Sequence, residues 1–338
     1  MTDEKCGQFE PEVAWVLAAY GWRCGLENIR PLGSAHGFSG SRFWRIERSA
    51  GALCLHQWPK ATPSKDHIQF IHAVLHHVRQ QGFSAIPLVC STPDGADYVE
   101  HAGHIWELRT WVPGEADFCR QPSFAKLSAA MSALAGFHRA AATFSAPGPR
   151  RDVSPGIAQR LAQLRHWLAG DAGRLAAAID PQRWPELAAR GQRVLPLFVS
   201  HAAAVVAGLE QAARLEVPLQ VCIRDIWHDH ILFDGDRFSG IIDFGALGWD
   251  NVAMDVARLL GSLTVDYGEY WQQGLAFYNS MRALSESELL LVQAFDRSTV
   301  LMSGLNWLDW IFRQDRKFDD GQAILARMDH ILARLGNL

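Results

Sequence analysis

Nowhere in this 338-residue chain is there a run of about 18 or more apolar residues, so no stretch of it reads as a membrane span. Its six cysteines, Cys6, Cys24, Cys54, Cys90, Cys119 and Cys222, never form a Cys-x-x-Cys pair. That scatter argues against a disulfide framework and points to reduced, packed thiols in a cytoplasmic protein. A basic excess is missing too. The formal net charge is −4, which gives bulk electrostatics no hold on nucleic acid. The opening Met1-Thr2-Asp3-Glu4-Lys5 lacks the basic-then-apolar layout of a secretory signal. No internal repeat and no long low-complexity segment interrupts the pattern. What is left is a chain apolar enough to bury a sizeable core, in one or two domains.

The patterning divides the chain in two. Residues 10–21 have helical spacing, with Val13, Val16 and Leu17 on one face. From 29 to 111 the chain is mainly strand-like, at 29–32, 42–47, 52–58, 86–90, 97–101 and 104–111. Ser49-Ala50-Gly51, Asp94-Gly95 and Ala102-Gly103 supply turns. One helix is predicted inside this region, at 63–81, where Ile68, Ile71, Leu75 and Val78 form a stripe. Val112-Pro113-Gly114 ends it. Beyond, 123–142, 158–169, 181–195, 197–213 and much of 252–335 read as helices. A β-rich first part (1–111) followed by a helical second part (112–338) is an α+β, two-lobed architecture.

Chemistry concentrates between 219 and 260. Ile223-Arg224-Asp225-Ile226-Trp227-His228-Asp229-His230 precedes the apolar run Ile231-Leu232-Phe233. The turn Asp234-Gly235-Asp236 leads into a second apolar run, which ends in Asp243-Phe244-Gly245. A tight hairpin here would bring Asp225 and Asp243 near each other. Two carboxylates so placed can divide a phosphoryl transfer. One accepts the proton of an attacking hydroxyl, and the other holds Mg²⁺ against the phosphates of a nucleotide. A lone Asp ahead of a strand is usually a turn residue. It is the second carboxylate that raises Asp225 above that reading. Asp243 closes an apolar run, where a buried carboxylate is costly unless paired or metal-bound. His228-Asp229-His230 alternates imidazole and carboxylate, the ligand types of Zn²⁺ and Fe²⁺. A metal-dependent hydrolase is therefore an alternative reading of that triplet, although a full metallohydrolase pattern is not present.

The same stretch resembles the catalytic and metal loops of the aminoglycoside phosphotransferase-like branch of the protein-kinase-like fold. That branch reads His-Gly-Asp, four residues, Asn, and later Ile-Asp-Phe or Ile-Asp-Trp. Asp225 and Asp243-Phe244-Gly245 fit, Ile223-Arg224 replaces His-Gly, and His230 stands at the Asn position. The resemblance implies a β-rich nucleotide-binding lobe and a larger helical lobe. It implies ATP as donor, Mg²⁺ as the metal (Mn²⁺ as an alternative) and a small-molecule hydroxyl as acceptor. Asp225 would be the base, with Arg224 beside it, and Asp243 the metal ligand. Imidazole is a poor partner for Mg²⁺. His230 would thus bind a softer ion, donate to phosphate, or mark a lost second metal site, with Asp229 available to supply an oxygen. Asp255 matches the family Asp that braces the catalytic loop through backbone hydrogen bonds. The run Trp106-Glu107-Leu108-Arg109-Thr110-Trp111-Val112-Pro113-Gly114-Glu115 resembles the hinge between lobes, with Trp106 and Trp111 available to pack on a base.

The first lobe departs from the family pattern. Its loop 33–41 carries Gly33, Gly37 and Gly40 with Ser39, a layout that lets backbone N–H groups approach phosphate and that a plain hairpin loop shares. Where the family strand has its phosphate-pairing Lys or Arg, this chain has His56. The helix at 63–81 should carry a Glu to pair that cation, and has Gln69, Ile71 and His72 instead. His56 is expected to bind phosphate as imidazolium, with nucleotide affinity rising below neutral pH. Missing Lys, Glu and Asn together also fit a catalytically degenerate, pseudokinase-like binding protein. Near the C-terminus, Asn306-Trp307-Leu308-Asp309-Trp310-Ile311-Phe312 with Asp315, Asp319 and Asp320 reads two ways. It can line an acceptor pocket for a hydroxylated or cationic molecule, or pack as an amphipathic helix on the core.

Overall fold

The computed structural model describes residues 11–22, 26–33, 40–60, 63–145, 150–264, 268–318 and 320–338. Its elements, in chain order, are α1 (Pro11–Ala19), β1 (Ile29–Gly33), β2 (Arg42–Ile46), β3 (Leu53–Gln57), α2 (Lys65–Gln80), β4 (Val89–Cys90), β5 (Val99–His101) and β6 (His104–Thr110). Then come α3 (Phe124–Ala141), β7 (Arg151–Val153), α4 (Pro155–His166), α5 (Ala172–Ala178), α6 (Pro185–Ala212), β8 (Glu216–Pro218) and β9 (Gln220–Cys222). The chain finishes with β10 (Ile231–Asp234), β11 (Arg237–Ile241), β12 (Gly248–Asp250), α7 (Ala253–Leu263), α8 (Gly268–Met281), α9 (Glu286–Phe312) and α10 (Gly321–Gly336). The architecture is the expected α+β, kinase-like one, an antiparallel sheet followed by a largely helical region.

The first sheet runs in the order β1-β2-β3-β6-β4, with β5 also on β6. Strand alternation gives it two faces with different tasks. Trp44, Ile46, Leu53, Leu55, Trp106 and Leu108 point one way and bury against Val13, Val16, Leu17 and Tyr20 of α1. Phe43, Arg45, Cys54, His56, Glu107 and Arg109 take the alternate positions, on the face away from α1. α2 begins at a Ser64 cap whose side chain accepts from the His67 N–H. Its stripe of Ile68, Ile71, Val74, Leu75 and Val78 is buried in the main core, together with α3 and the C-terminal helices.

Two differences from the sequence reading have local causes. The helices expected at 181–195 and 197–213 are one element, α6, with Pro196 inside it. An interior proline costs about 3 kcal/mol. Here Leu187, Gly191 and Val194 before it and Phe198, Ala202, Val205 and Leu209 after it continue one buried stripe, and that packing outweighs the lost hydrogen bond. α6 is also the one described helix long and apolar enough to cross a membrane, yet its stripe packs on α4, α9 and α10 as a core helix would. The strand expected at 86–90 shortens to Val89–Cys90. The four cysteines among the described residues, Cys54, Cys90, Cys119 and Cys222, are free thiols.

Candidate active site

The second lobe's loops are anchored before they do any chemistry. One face of α7 holds the segment 223–228 at three successive points. Asp255 accepts from the backbone N–H groups of Ile223 (2.6 Å) and Arg224 (2.7 Å). Arg258, one turn on, donates to the Asp225 carboxylate. Ser262, a further turn on, accepts from the His228 N–H at 3.0 Å. Positions 255, 258 and 262 are spaced by three and four, so they share one helix face. Asp255 is itself fully buried, and His138 Nε2 bonds it at 3.0 Å. Burial pushes the His138 ring below its ordinary value, against the pull of Asp255.

The loop is strained where the family pattern has glycine. Arg224 has φ +68°, in the left-handed region, and so has Asp243, at φ +62°. Such residues cost about 1–3 kcal/mol each and persist only where surrounding contacts force them. For Arg224 those contacts are the Asp255 bond and a guanidinium laid over Gly248, where any Cβ would collide with Arg224 Nη1 and Cδ. For Asp243, Oδ1 accepts from the Gly245 N–H at 3.2 Å.

Hairpin β10–β11 then sets Asp225 and Asp243 on either side of one residue, His230. Its Nδ1 donates to the Asp225 carbonyl at 2.9 Å, and its Nε2 accepts from the Trp227 indole N–H at 2.8 Å. Those two bonds fix the neutral tautomer protonated on Nδ1. Nε2 also lies 3.5 Å from Asp243 Oδ2. Asp225 and Asp243 keep half or more of their side-chain surface exposed, so both reach the cleft.

The triplet 228–230 forms a 3-10 turn, whose successive side chains diverge by about 120°. Asp229 turns to His228, 3.5 Å away, and to the neighbourhood of Arg327 and Cys119. Only His230 meets Asp243. His228, Asp229 and His230 therefore do not converge on a common point, and the hydrolase reading loses its metal site. Among the described residues the one cluster with ligand-like spacing is His138, Cys222 and Asp255. It is fully buried, and Asp255 is already bonded to His138 and two backbone N–H groups.

The first lobe contains a feature that sequence reading missed. His56 on β3, His72 on α2 and Arg109 on β6 converge on one fully buried carboxylate, Glu107. His72 Nε2 bonds Glu107 Oε1 at 2.6 Å, Arg109 bonds Oε2, and His56 Nδ1 is 3.6 Å from Oε2. The expectation that the partner acid is lost with the helix Glu is thus corrected. The acid comes from the adjacent strand, where Glu107 is the register partner of His56. Burial alone would raise the Glu107 carboxyl. Arg109 and the two imidazoles outweigh it and hold the group well below the usual carboxylate range. The signal was the i, i+2 pair Glu107 and Arg109 on one strand face, read instead as part of a hinge whose side chains say little.

His56 lies between Phe43 and Trp58, with ring centroids at 4.4 and 4.1 Å. That burial pushes its pKa down although Glu107 favours the charged ring, and the Asp243 charge is near enough to act in the same sense as Glu107. Its Nε2 is buried without a hydrogen-bond partner. Trp58 in turn packs on Gly245, and His67 Nε2 bonds the Gly245 carbonyl at 3.1 Å, which joins β3 and α2 to the Asp243 loop. Gly33 (φ +62°) and Gly40 (φ +79°) flank the glycine loop in conformations that glycine favours. Gly37 and Ser39 lie outside the described residues. Trp106 is a fully buried partner of Trp44 on the face toward α1, not a platform for a base. Trp111 carries Arg45 over its ring at 4.6 Å.

The chain between the lobes is pinned to hairpin β10–β11. Glu115 and Phe233 exchange two backbone bonds of 2.9 Å, and Ser239 Oγ donates to the Pro113 carbonyl at 2.6 Å. Gly114, at φ +108°, passes so close that a Cβ would strike Ser239 Oγ and the Phe233 carbonyl. The C-terminal aromatic run is core. Trp307, Leu308, Ile311 and Phe312 are buried on α9, Asp309 pairs with Arg313, and Asp315 pairs with Arg183 and Lys317. Asp320 caps α10, and Asp319 lies outside the described residues. An acid-lined acceptor pocket from this run is not what the fold makes.

Comparison with known proteins agrees with this geometry. Residues 29–289 match the family model of the phosphotransferase enzyme family. A homoserine kinase of Allorhizobium ampelinum is 28% identical over 288 residues, covering 82% of this chain and 80% of its own length. A microcompartment-associated aminopropanol kinase superposes with a TM-score of 0.65 at 16% identity, over 96% of this chain and 95% of that one. An amicoumacin kinase, solved with AMP-PNP and Ca²⁺, does so at 0.63 and 14%, over 96% and 94%. A braced Asp225 beside Asp243, on a two-lobed scaffold matched over more than three-quarters of its length, has one reading: the chain belongs to the phosphotransferase enzyme family, kinases that move phosphate from ATP to an alcohol group of a small molecule.

Proposed function

We propose that Asp225 is the base and Asp243 the metal ligand of this kinase, and that its acceptor is a small amino-acid-like alcohol of the homoserine type. The observation that carries the assignment is the junction at His230, whose Nδ1 bonds the Asp225 carbonyl and whose own carbonyl accepts from the N–H of Ile242, next to Asp243, at 3.0 Å. In the transfer, an acceptor hydroxyl gives its proton to Asp225 as its oxygen bonds the γ-phosphorus. The bond from that phosphorus to the bridging oxygen breaks, and ADP leaves. Asp243 presents one exposed carboxylate, a donor set that suits Mg²⁺ completed by phosphate oxygens and water. Bound there, Mg²⁺ would neutralise charge developing on the phosphates. The His230 Nε2 lone pair already serves Trp227. His230 therefore acts by holding the two loops in register, not as a ligand, and Asp229 faces elsewhere.

On the nucleotide side, Glu107 and Arg109 supply a carboxylate and a permanent cation where the helix Glu and strand Lys are absent. His56 offers Nε2 to the phosphates and takes up a proton as it does so. This arrangement supports an active enzyme over the degenerate reading. The test is acceptor-dependent ADP release with Mg·ATP over a panel of amino alcohols, sugars and aminoglycosides. The proposal expects turnover with L-homoserine, abolished in Asp225→Asn. Turnover with aminoglycosides alone, or none with any acceptor, would overturn it.

A further inference from the structure

Asp225 is not alone at the acceptor end of the site. Arg258 bonds its carboxylate directly, and the Arg258 Nε is buried without a partner. Arg327, two turns before Arg334 on α10, stacks its guanidinium 4.6 Å over the Trp227 ring. Arg334 itself is anchored to α7 through the Gly261 carbonyl at 3.3 Å. α10 therefore brings a second guanidinium to the catalytic loop. Arg327 lies near enough to Arg258 that, after burial, Arg258 is the largest influence pushing its pKa down. Asp229 and Asp225 are the carboxylates that act on it.

This cluster has a consequence for catalysis. Arg258 occupies Oδ1 of Asp225, one of the two carboxylate oxygens that could receive the acceptor proton. A second anion in the cleft would compete with Asp225 for Arg258. The side chains of Arg258 and Asp225 are about one-third and one-half exposed, so the exchange can take place at the cleft. An acceptor without an anionic group cannot drive it. An acceptor that carries its own carboxylate can.

We infer that Arg258 and Arg327 form the recognition site for an acceptor carboxylate, so that a carboxylated alcohol binds beside Asp225. This rests on the phosphotransferase reading above and sharpens it. The enzyme is selective for hydroxy-amino acids over amino alcohols that lack the carboxyl group, and Arg258 and Arg327 set that selectivity. A guanidinium–carboxylate contact contributes a few kcal/mol, so losing one lowers selectivity roughly 10- to 100-fold.

The test compares L-homoserine with 3-aminopropan-1-ol, the same molecule without its carboxyl group. Wild-type kcat/KM should favour homoserine by at least tenfold. In Arg327→Gln and Arg258→Gln the ratio should fall toward one, with the change carried by KM for homoserine, and Arg258→Lys should restore part of it. Arg327→Gln keeps the result readable if Arg258→Gln fails to fold, since Arg327 makes none of the hydrogen bonds from α7 to the loop. A wild-type enzyme that uses both alcohols equally, or an Arg327→Gln ratio equal to wild type, overturns the inference and leaves the phosphotransferase assignment standing. A protein that phosphorylates neither alcohol overturns both the inference and the homoserine-type acceptor.

Discussion

Two charged clusters meet at the cleft, and they are built by opposite rules. Around Asp225 and Asp243 the two carboxylates keep the family spacing although Arg224 and His230 depart from it, and backbone hydrogen bonds to Asp255 and Ser262 fix the loop. Around His56 the pattern is broken, yet a cation–carboxylate cluster is present, redrawn from a helix–strand pair to a strand–strand pair. On the roles proposed above, the difference reflects what each cluster must do. A base and a metal ligand act at atoms whose positions are fixed within a fraction of an ångström. A countercharge for phosphates acts over longer range, so any buried scaffold that delivers it to the sheet face will serve.

The sharpest way to break this comparison is to remove one group from each side. Asp243→Ala should lower kcat on the order of 10³-fold or more, the scale of losing a transition-state charge partner. His56→Ala should cost far less in kcat and act mainly on KM for ATP. Equal losses, measured by ADP release at saturating acceptor, would mean that the first-lobe cluster is as exacting as the second.

Next in size is Glu107→Gln. It leaves Arg109 buried without its carboxylate, a change worth about 3–5 kcal/mol, to be read from urea unfolding. Asp229→Asn, on the exposed side of the 3-10 turn, should change stability by less than about 1 kcal/mol.

The pH dependence separates the clusters more gently. His56 is held neutral by burial in the free protein, and bound phosphates favour its charged form. Nucleotide binding then takes up a proton, so the Mg·ATP dissociation constant should fall as pH drops from about 8 to about 6. In His56→Lys, charged throughout that range, the slope should disappear; calorimetry at three pH values decides this. Stability runs the other way. His56 and His138 have folded pKa values below their unfolded ones, so the unfolded chain binds more protons as pH falls below about 6.5, and stability should decline there. A thermal midpoint that rises between pH 6.5 and 5 would contradict that sign.

What could be read in the sequence follows the same division. Asp225, Asp243 and Asp255 were legible as candidates because each lies in a local run with its own spacing, and the fold brings them around one loop. The order of sheet then helices was legible from periodicity, and its kinase-like character from the resemblance around Asp225 and Asp243. Glu107 was not, because its role depends on strand register, which pairs residues 51 positions apart. Arg258 and Arg327 were not, because only the tertiary placement of α10, packed on α6 and α9, brings them together. The continuous α6 was missed for a third reason. Proline is a sound local stop signal, and tertiary burial on both sides of Pro196 overrode it.

The most direct test of the whole account is thermal unfolding of the wild type and of Asp243→Ala, with and without saturating Mg·ATP. Ligand at about 100 times its dissociation constant adds roughly 2.7 kcal/mol, a shift of several degrees. The account predicts that shift in the wild type and its loss in Asp243→Ala. No shift in the wild type would mean that Glu107, Arg109 and His56 do not make a nucleotide site, and would contradict the claim that the redrawn cluster still serves ATP.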